Sequence, residues 1–218
     1  GMRGWGMETQ DQWWWASIFD RSDLDKKFRI LARSNVKYWI DTEHETVTST
    51  DMPTLEPGNV KTLPDALPRA FIVQKARLSE PLKLLNAYYE RSFDPLEEVL
   101  VSEPECAQTS PVGGSSASVD SLRHTPNQVV IRTRQNGDGF LVLLDSWFPG
   151  WTATVDGKPA RICRANHFYR AVKTEPGIHT VEFSFEPSGF RTGLFISGAS
   201  FCALTAIMLA GLRKGATS

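Results

Sequence analysis

Asp145, Ser146 and His167 supply the acid, the hydroxyl and the imidazole from which a hydrolase triad is built. The context does not suit that chemistry. The strained G-x-S-x-G turn that exposes a nucleophile is absent, and Ser146 falls at a strand end, so no nucleophile is assigned. Glu97 and Glu98, and Asp23 and Asp25, read as surface acids rather than as a glycosidase pair. The four histidines, His44, His124, His167 and His179, lack metal-ligand spacing, and His179 reads as a sheet-face residue. Gly137 and Gly139 belong to a hairpin turn rather than a phosphate-binding loop. No catalytic residue, metal or cofactor is therefore expected in this chain. The cysteines, Cys106, Cys163 and Cys202, are odd in number and lack a CxxC pair, which supports neither zinc nor a disulfide framework. Unrelated thiols are the favoured reading, with a Cys106 to Cys163 bridge open in an oxidising compartment.

One surface remains for binding. Trp147, Phe148, Trp151, Phe168 and Tyr169 crowd together with Arg161, Arg164 and Arg170. Sugars stack their C–H groups on exposed aromatic faces, and guanidinium groups hold phosphate or anionic glycan. Trp147, Trp151, Tyr169, Arg164 and Arg170 are thus the candidate substrate-binding residues. The competing reading, which weighs more, is that the rings fill a β-sandwich and the arginines are solvated or meet lipid headgroups.

These residues must be positioned by the elements around them. The net charge of -1 gives no broad basic face, so nucleic acid is not an expected partner. From Thr192 to Leu212 there are 21 residues without a charge, bounded by Arg191 and by Arg213 and Lys214. As a helix this run spans about 31 Å, matching a bilayer core, and its small residues suit close packing against other membrane helices. A transmembrane helix is expected at 191–212, with a cytoplasmic tail at 213–218 by the positive-inside rule. The bulk of the chain then lies outside the cytoplasm, although residues 1–21, a Trp-rich arm, contain no signal peptide.

The spacing between arm and helix predicts an α+β part over 22–105. It has a helix from Ser22 or Asp23 to about Arg33 with Leu24, Phe28 and Leu31 inward, and strands at Val36 to Ile40 and Arg69 to Leu78. Thr42 to Thr50 reads as a hairpin or loop and the prolines from Pro53 to Pro68 as turns. A second helix spans Glu80 to Glu90 with Leu82, Leu85 and Tyr89 inward, followed by a strand at Glu98 to Glu103. Residues 106–125 read as a flexible Ser/Gly/Pro loop. Residues 126–187 read as an antiparallel meander of three hairpins: Gln128 to Arg134 with Phe140 to Trp147, Trp151 to Val155 with Pro159 to Arg164 across Asp156-Gly157, and His167 to Lys173 with Ile178 to Glu186. In the last strand His179, Val181, Phe183 and Phe185 share one face. The fold class expected is mainly β, an antiparallel, jelly-roll-like β-sandwich with one or two short helices in the N-terminal half and a C-terminal transmembrane helix.

The segment SWFPGWTATVDGKPARICRANHFYRAVKTEPGIHTVEFSFEP, followed closely by an apolar run, resembles the C-terminal end of the YfhO-type bacterial membrane proteins. A PGW, a VDG turn, an R-A-N plus aromatic segment and a PG-x-H-x-V-x-F-x-F strand occur there in this order. NVKYWI and LPRAFIV are similar to segments that precede it. The resemblance runs from about Asn35 to Leu212 and implies a polytopic protein of the bacterial cytoplasmic membrane, similar to glycosyltransferases that use lipid-linked sugar. The catalytic acids of such enzymes lie in an early extracytoplasmic loop absent here, so the chain itself is expected to be non-catalytic. The implied role is to position an acceptor or stabilise the parent. The implied partners are membrane lipid, a glycan or lipid-linked sugar, and the parent's N-terminal membrane helices. The alternative is an independent membrane-anchored carbohydrate-binding β-sandwich.

Overall fold

The structure, a computed structural model, describes residues 19, 21–40, 60–63, 65–107, 116–187 and 189–215. The Trp-rich arm, the Thr42 to Thr50 stretch, and the prolines Pro53, Pro57 and Pro64 lie outside the described residues. The described chain begins with helix α1 (Leu24–Arg33) and strands β1 (Tyr38–Ile40), β2 (Val60–Thr62), β3 (Ala70–Val73) and β4 (Lys75–Leu78). Helix α2 (Pro81–Tyr89) and strand β5 (Glu98–Val101) follow, then a 3-10 turn at Pro104–Cys106. The second half holds β6 (Ala117–Thr125), β7 (Gln128–Gln135), β8 (Gly139–Leu143), β9 (Trp151–Val155), β10 (Lys158–Ala160), β11 (Ile162–Ala165), β12 (Tyr169–Thr174) and β13 (Gly177–Phe185). Helix α3 spans Phe190–Gly215.

Three layers result. A five-stranded sheet, β10-β9-β13-β7-β6, packs on a six-stranded sheet, β3-β8-β12-β11-β5-β4, and α1 and α2 cover the latter's other face. The inter-sheet core holds Val129, Ile131, Leu141, Leu143, Val172, Val181 and Phe183. The helix-side core holds Ile30, Phe71, Leu84, Tyr88, Phe140, Val142 and Ala171. Both faces of β8 are therefore buried, which accounts for its uninterrupted apolar sequence. The alternation in β13 is as expected: Val181 and Phe183 point into the sandwich while Thr180 is exposed.

Several details differ from the expectations. Only the middle hairpin exists: β9 pairs with β10 across Asp156 and Gly157, whose positive φ of 50° and 78° suit a tight primed turn. The other two expected hairpins are corners between sheets, because β7 pairs with β6 and β13 whereas β8 and β12 pair with each other in the second sheet. Alternation identifies which face of a strand is buried, and it leaves the partner open. Where a loop is expected up to Thr125, Ala117–Thr125 forms an edge strand with a register shift between Val119 and Ser121. Its polar residues suit an edge whose two faces are largely open.

Asp23 caps α1 through Lys26 N–H at 2.7 Å, but Ile30, Ala32 and Arg33 are its buried residues and Leu24 is exposed. Arg33 explains this: its guanidinium donates to the carbonyls of Tyr88, Glu90 and Phe93, capping the end of α2 and turning that side of α1 inward. In α2 the buried residues are Leu84, Leu85, Tyr88 and Tyr89. Cys106 and Cys163 are joined by a disulfide, correcting the reading of two unrelated thiols. They lie in the helix-side core, where contact depends on tertiary packing. The expected membrane span falls within α3, whose side chains are exposed from Thr192 to Ala206, the last with a described side chain. Among the described residues, no helix is long and apolar enough to cross a membrane.

Candidate functional site

The chain's aromatic and basic residues converge at one end of the sandwich because of register. Trp151 opens β9 opposite Phe185 at the close of β13, and Arg170 in β12 lies between Arg164 of β11 and Leu143 of β8. Paired residues share a face, so Arg164 and Arg170 both project from the six-stranded sheet towards the five-stranded one. Tyr169, one position away, points to the opposite face. Its hydroxyl donates to Ser34 Oγ at 2.9 Å within the helix-side core, and burial raises its pKa. Four of the five expected binding residues are thus brought together, and Tyr169 is not among them.

Arg170 is only 1% exposed, which corrects the expectation of a surface guanidinium. Its Cζ lies 3.8 Å from the centroid of Trp151 and 5.3 Å from that of Phe183, and Nη2 reaches Asp145 Oδ2 at 3.1 Å. Nε and Nη1 have no hydrogen-bond partner, so aromatic faces stand where further acceptors would be. Burial lowers the pKa to about 10, with Asp145 opposing the fall and Arg69 adding to it. The group remains a cation at neutral pH. Arg69, from the segment before β3, holds the same carboxylate with two hydrogen bonds of 2.9 Å, which raise its own pKa. With both oxygens engaged by two arginines, Asp145 is a structural counter-ion rather than the acid of a triad.

The loop between β8 and β9 follows from Pro149 and Gly150. Gly150 has φ of +105°, and a Cβ there would meet Glu186 O at 2.9 Å. Its carbonyl accepts from Glu186 N–H at 2.9 Å, tying the PGW turn to the chain just before α3. The loop and β9–β10 enclose a cleft of about 400 Å³ lined by Trp147, Phe148, Trp151, Thr152, Pro159 and Ile162 among others, with no charged side chain. Trp151 has Arg170 over one ring face and Phe185 at 5.3 Å, while Arg164 lies 5.5 Å from Trp147. A second cleft of about 700 Å³ lies on the other side of Phe185, lined also by Asn127, Glu186, Phe190 and Leu194.

The remaining signature residues have structural roles. Asn166, buried with φ of 49°, accepts Leu100 N–H on Oδ1 at 2.9 Å while its own N–H donates to Leu100 O at 2.8 Å, clasping β5 to β11. At the far end, His179 Nδ1 lies 2.7 Å from Asp156 Oδ2, and Thr180 N–H donates to Asp156 Oδ1 at 2.8 Å. The histidine of the last strand therefore holds the Asp-Gly turn. Arg69 and Phe185 were not expected at the site. Phe185 could have been found from alternation in β13, whereas no local signal pairs Arg69 with Asp145.

No match was found among curated proteins or among solved structures. Residues 114–197 match a family model described as bacterial membrane protein YfhO, which covers the strands from β6 onward and the first turns of α3. The PGW turn, the Asp-Gly turn with its histidine, and Asn166, Trp147, Trp151, Arg164 and Arg170 fall inside that match, whereas their partners Leu100 and Arg69 lie outside it. Over residues 114–197 this chain is similar to the family of the bacterial membrane protein YfhO.

Proposed function

We propose that the chain is the extracytoplasmic sandwich and last membrane helix of a YfhO-type protein, with its C-terminus in the cytoplasm. The observation that carries this reading is the continuity of the family match, which runs from the sandwich into α3 without a break. The 21 uncharged residues from Thr192 to Leu212, followed by Arg213 and Lys214, support a span with that orientation. The Cys106–Cys163 disulfide supports the oxidising side of the membrane for the sandwich.

The parent, in this reading, is a glycosyltransferase that uses lipid-linked sugar, and this part supports the parent or positions its acceptor without turning over substrate. In this reading Asp145 serves as the counter-ion that holds Arg69 and Arg170 at the helix end of the sandwich. The test is protease treatment of intact spheroplasts carrying the chain with a C-terminal tag. Digestion of the sandwich that leaves a membrane-embedded, tagged fragment is the expected result. A protected sandwich overturns the orientation, and release of the tagged fragment by alkaline carbonate overturns the membrane helix.

A further inference from the structure

The helix end of the sandwich carries an apolar surface that the cores do not use. Phe148 is 40% exposed and Phe190 64% exposed, and Phe185 stands between them, 6.1 Å from Phe148. The cleft beside Phe148 has no charged lining, and the principal aromatic face for a sugar, on Trp151, is covered on one side by Arg170. Such a surface suits apolar contact better than a glycan or a phosphate.

Its position identifies the partner. Gly150 is bonded to Glu186, and only Pro187 to Gly189 separate Glu186 from the start of α3. The amide of Phe190 donates to Pro187 O at 3.1 Å and that of Gly193 to Gly189 O at 2.7 Å, so the helix winds directly from this junction. If α3 enters the bilayer, the 147–151 loop lies at headgroup level, where aromatic side chains partition favourably. We infer that Phe148 and Pro149, with Phe185 and Phe190, form an interfacial anchor that dips into the lipid surface beside the root of α3. The inference rests on the proposed membrane helix. No charged side chain lines the cleft beside Phe148, while Glu186 lines the one beside Phe185 and Phe190, so insertion is driven by apolar burial and does not require anionic lipid.

The test uses the full chain in phosphatidylcholine nanodiscs, with Cys202→Ser removing the free thiol. An environment-sensitive fluorophore is placed in turn at Phe148→Cys, Pro149→Cys, Lys158→Cys and Leu204→Cys, with folding checked by circular dichroism. Labels at 148 and 149 should be quenched by lipids spin-labelled near the headgroup at least about threefold more than the label at 158, with or without anionic lipid. The label at 204 should respond to lipids spin-labelled deep in the chain. If 204 responds while 148 and 149 match 158, the anchor is refuted and the membrane helix stands. If none responds, the membrane helix fails and the anchor fails with it. Labels at 148 and 149 shielded from aqueous iodide yet untouched by lipid quenchers would mean that protein or glycan covers the loop, which overturns the inference. Position 149 answers the question if the 148 variant does not fold.

Discussion

At the turn end of the sandwich the amide of Gln135 and the hydroxyl of Thr174 meet as a satisfied pair, whereas at the helix end a cation is buried among rings with part of its hydrogen-bonding capacity unused. Gln135 of one sheet donates from Nε2 to Thr174 O and Gly137 O, both at 2.9 Å, and accepts from Thr174 Oγ1 at 3.0 Å. Gly139 lets the same corner close, because a Cβ there would stand 2.9 Å from Val73 O. Asp156 and His179 complete that end with a pair of which Asp156 is half exposed. At the helix end, Arg170 is held by one carboxylate oxygen and two aromatic rings. The Asp156-Gly157 turn needs only local chemistry to form, while the Gln135–Thr174 corner and the helix end exist only once both sheets have packed.

The sharpest way to break this contrast is at Asp145. Asp145→Ala leaves the buried Arg170 without its counter-ion and should cost about 3–5 kcal/mol, read as a lower urea midpoint. A loss no larger than that of an exposed surface substitution would show that the stack on Trp151 suffices. Gly150→Ala should come next, losing about 1–3 kcal/mol through its left-handed backbone and the approach to Glu186 O. Thermal melts that coincide with wild type would remove the case for a strained junction beneath α3.

The smallest effect belongs to the turn end. His179→Ala should change stability by about 0.2–1 kcal/mol, because the Asp156 partner is screened by solvent. Its signature lies in pH. The hydrogen bond to Asp156 raises the His179 pKa from its ordinary 6.5, so this contribution is full below 6.5 and disappears as pH rises through the raised value. Asp156 is lowered from 3.8, first by Thr180 N–H and then by His179, so its contribution is present above 3.8 and is lost as pH falls through the lowered value. The difference between wild type and His179→Ala should therefore be greatest between about pH 4 and 6.5. A difference that stays flat from pH 5 to 9 would contradict the pairing.

The legibility of the two ends in the sequence follows the same division. Asp156-Gly157 could be read as a tight turn because that conformation is written in two neighbouring residues. The inward face of β13 could be read because alternation is a property of one strand. Strand partners could not: the short links after Gln135 and after Thr174 resemble hairpin turns but carry the chain from one sheet to the other. The edge strand over Ala117–Thr125 was hidden by its Ser and polar content, since it buries little. At the site, the gathering of Trp147, Trp151, Arg164 and Arg170 was legible as a cluster of types. The burial of Arg170, and its sharing of Asp145 with a residue 76 positions away from that acid, was not. Cys106 and Cys163 had no spacing signature, and their pairing depends on the packing of β11 beside the 3-10 turn.

The disulfide also determines what a protease would leave behind. Its bridge closes a loop with a sequence separation of 57, and β6, β7, β8, β9 and β10 all lie inside that loop. A single cut between residues 107 and 162 therefore divides the polypeptide without freeing either part. The N-terminal piece, with both short helices, stays covalently joined to the piece that bears α3. A nicked molecule of this kind keeps its N-terminal half attached to α3 until a reductant reaches a bridge that both cysteines bury in the core.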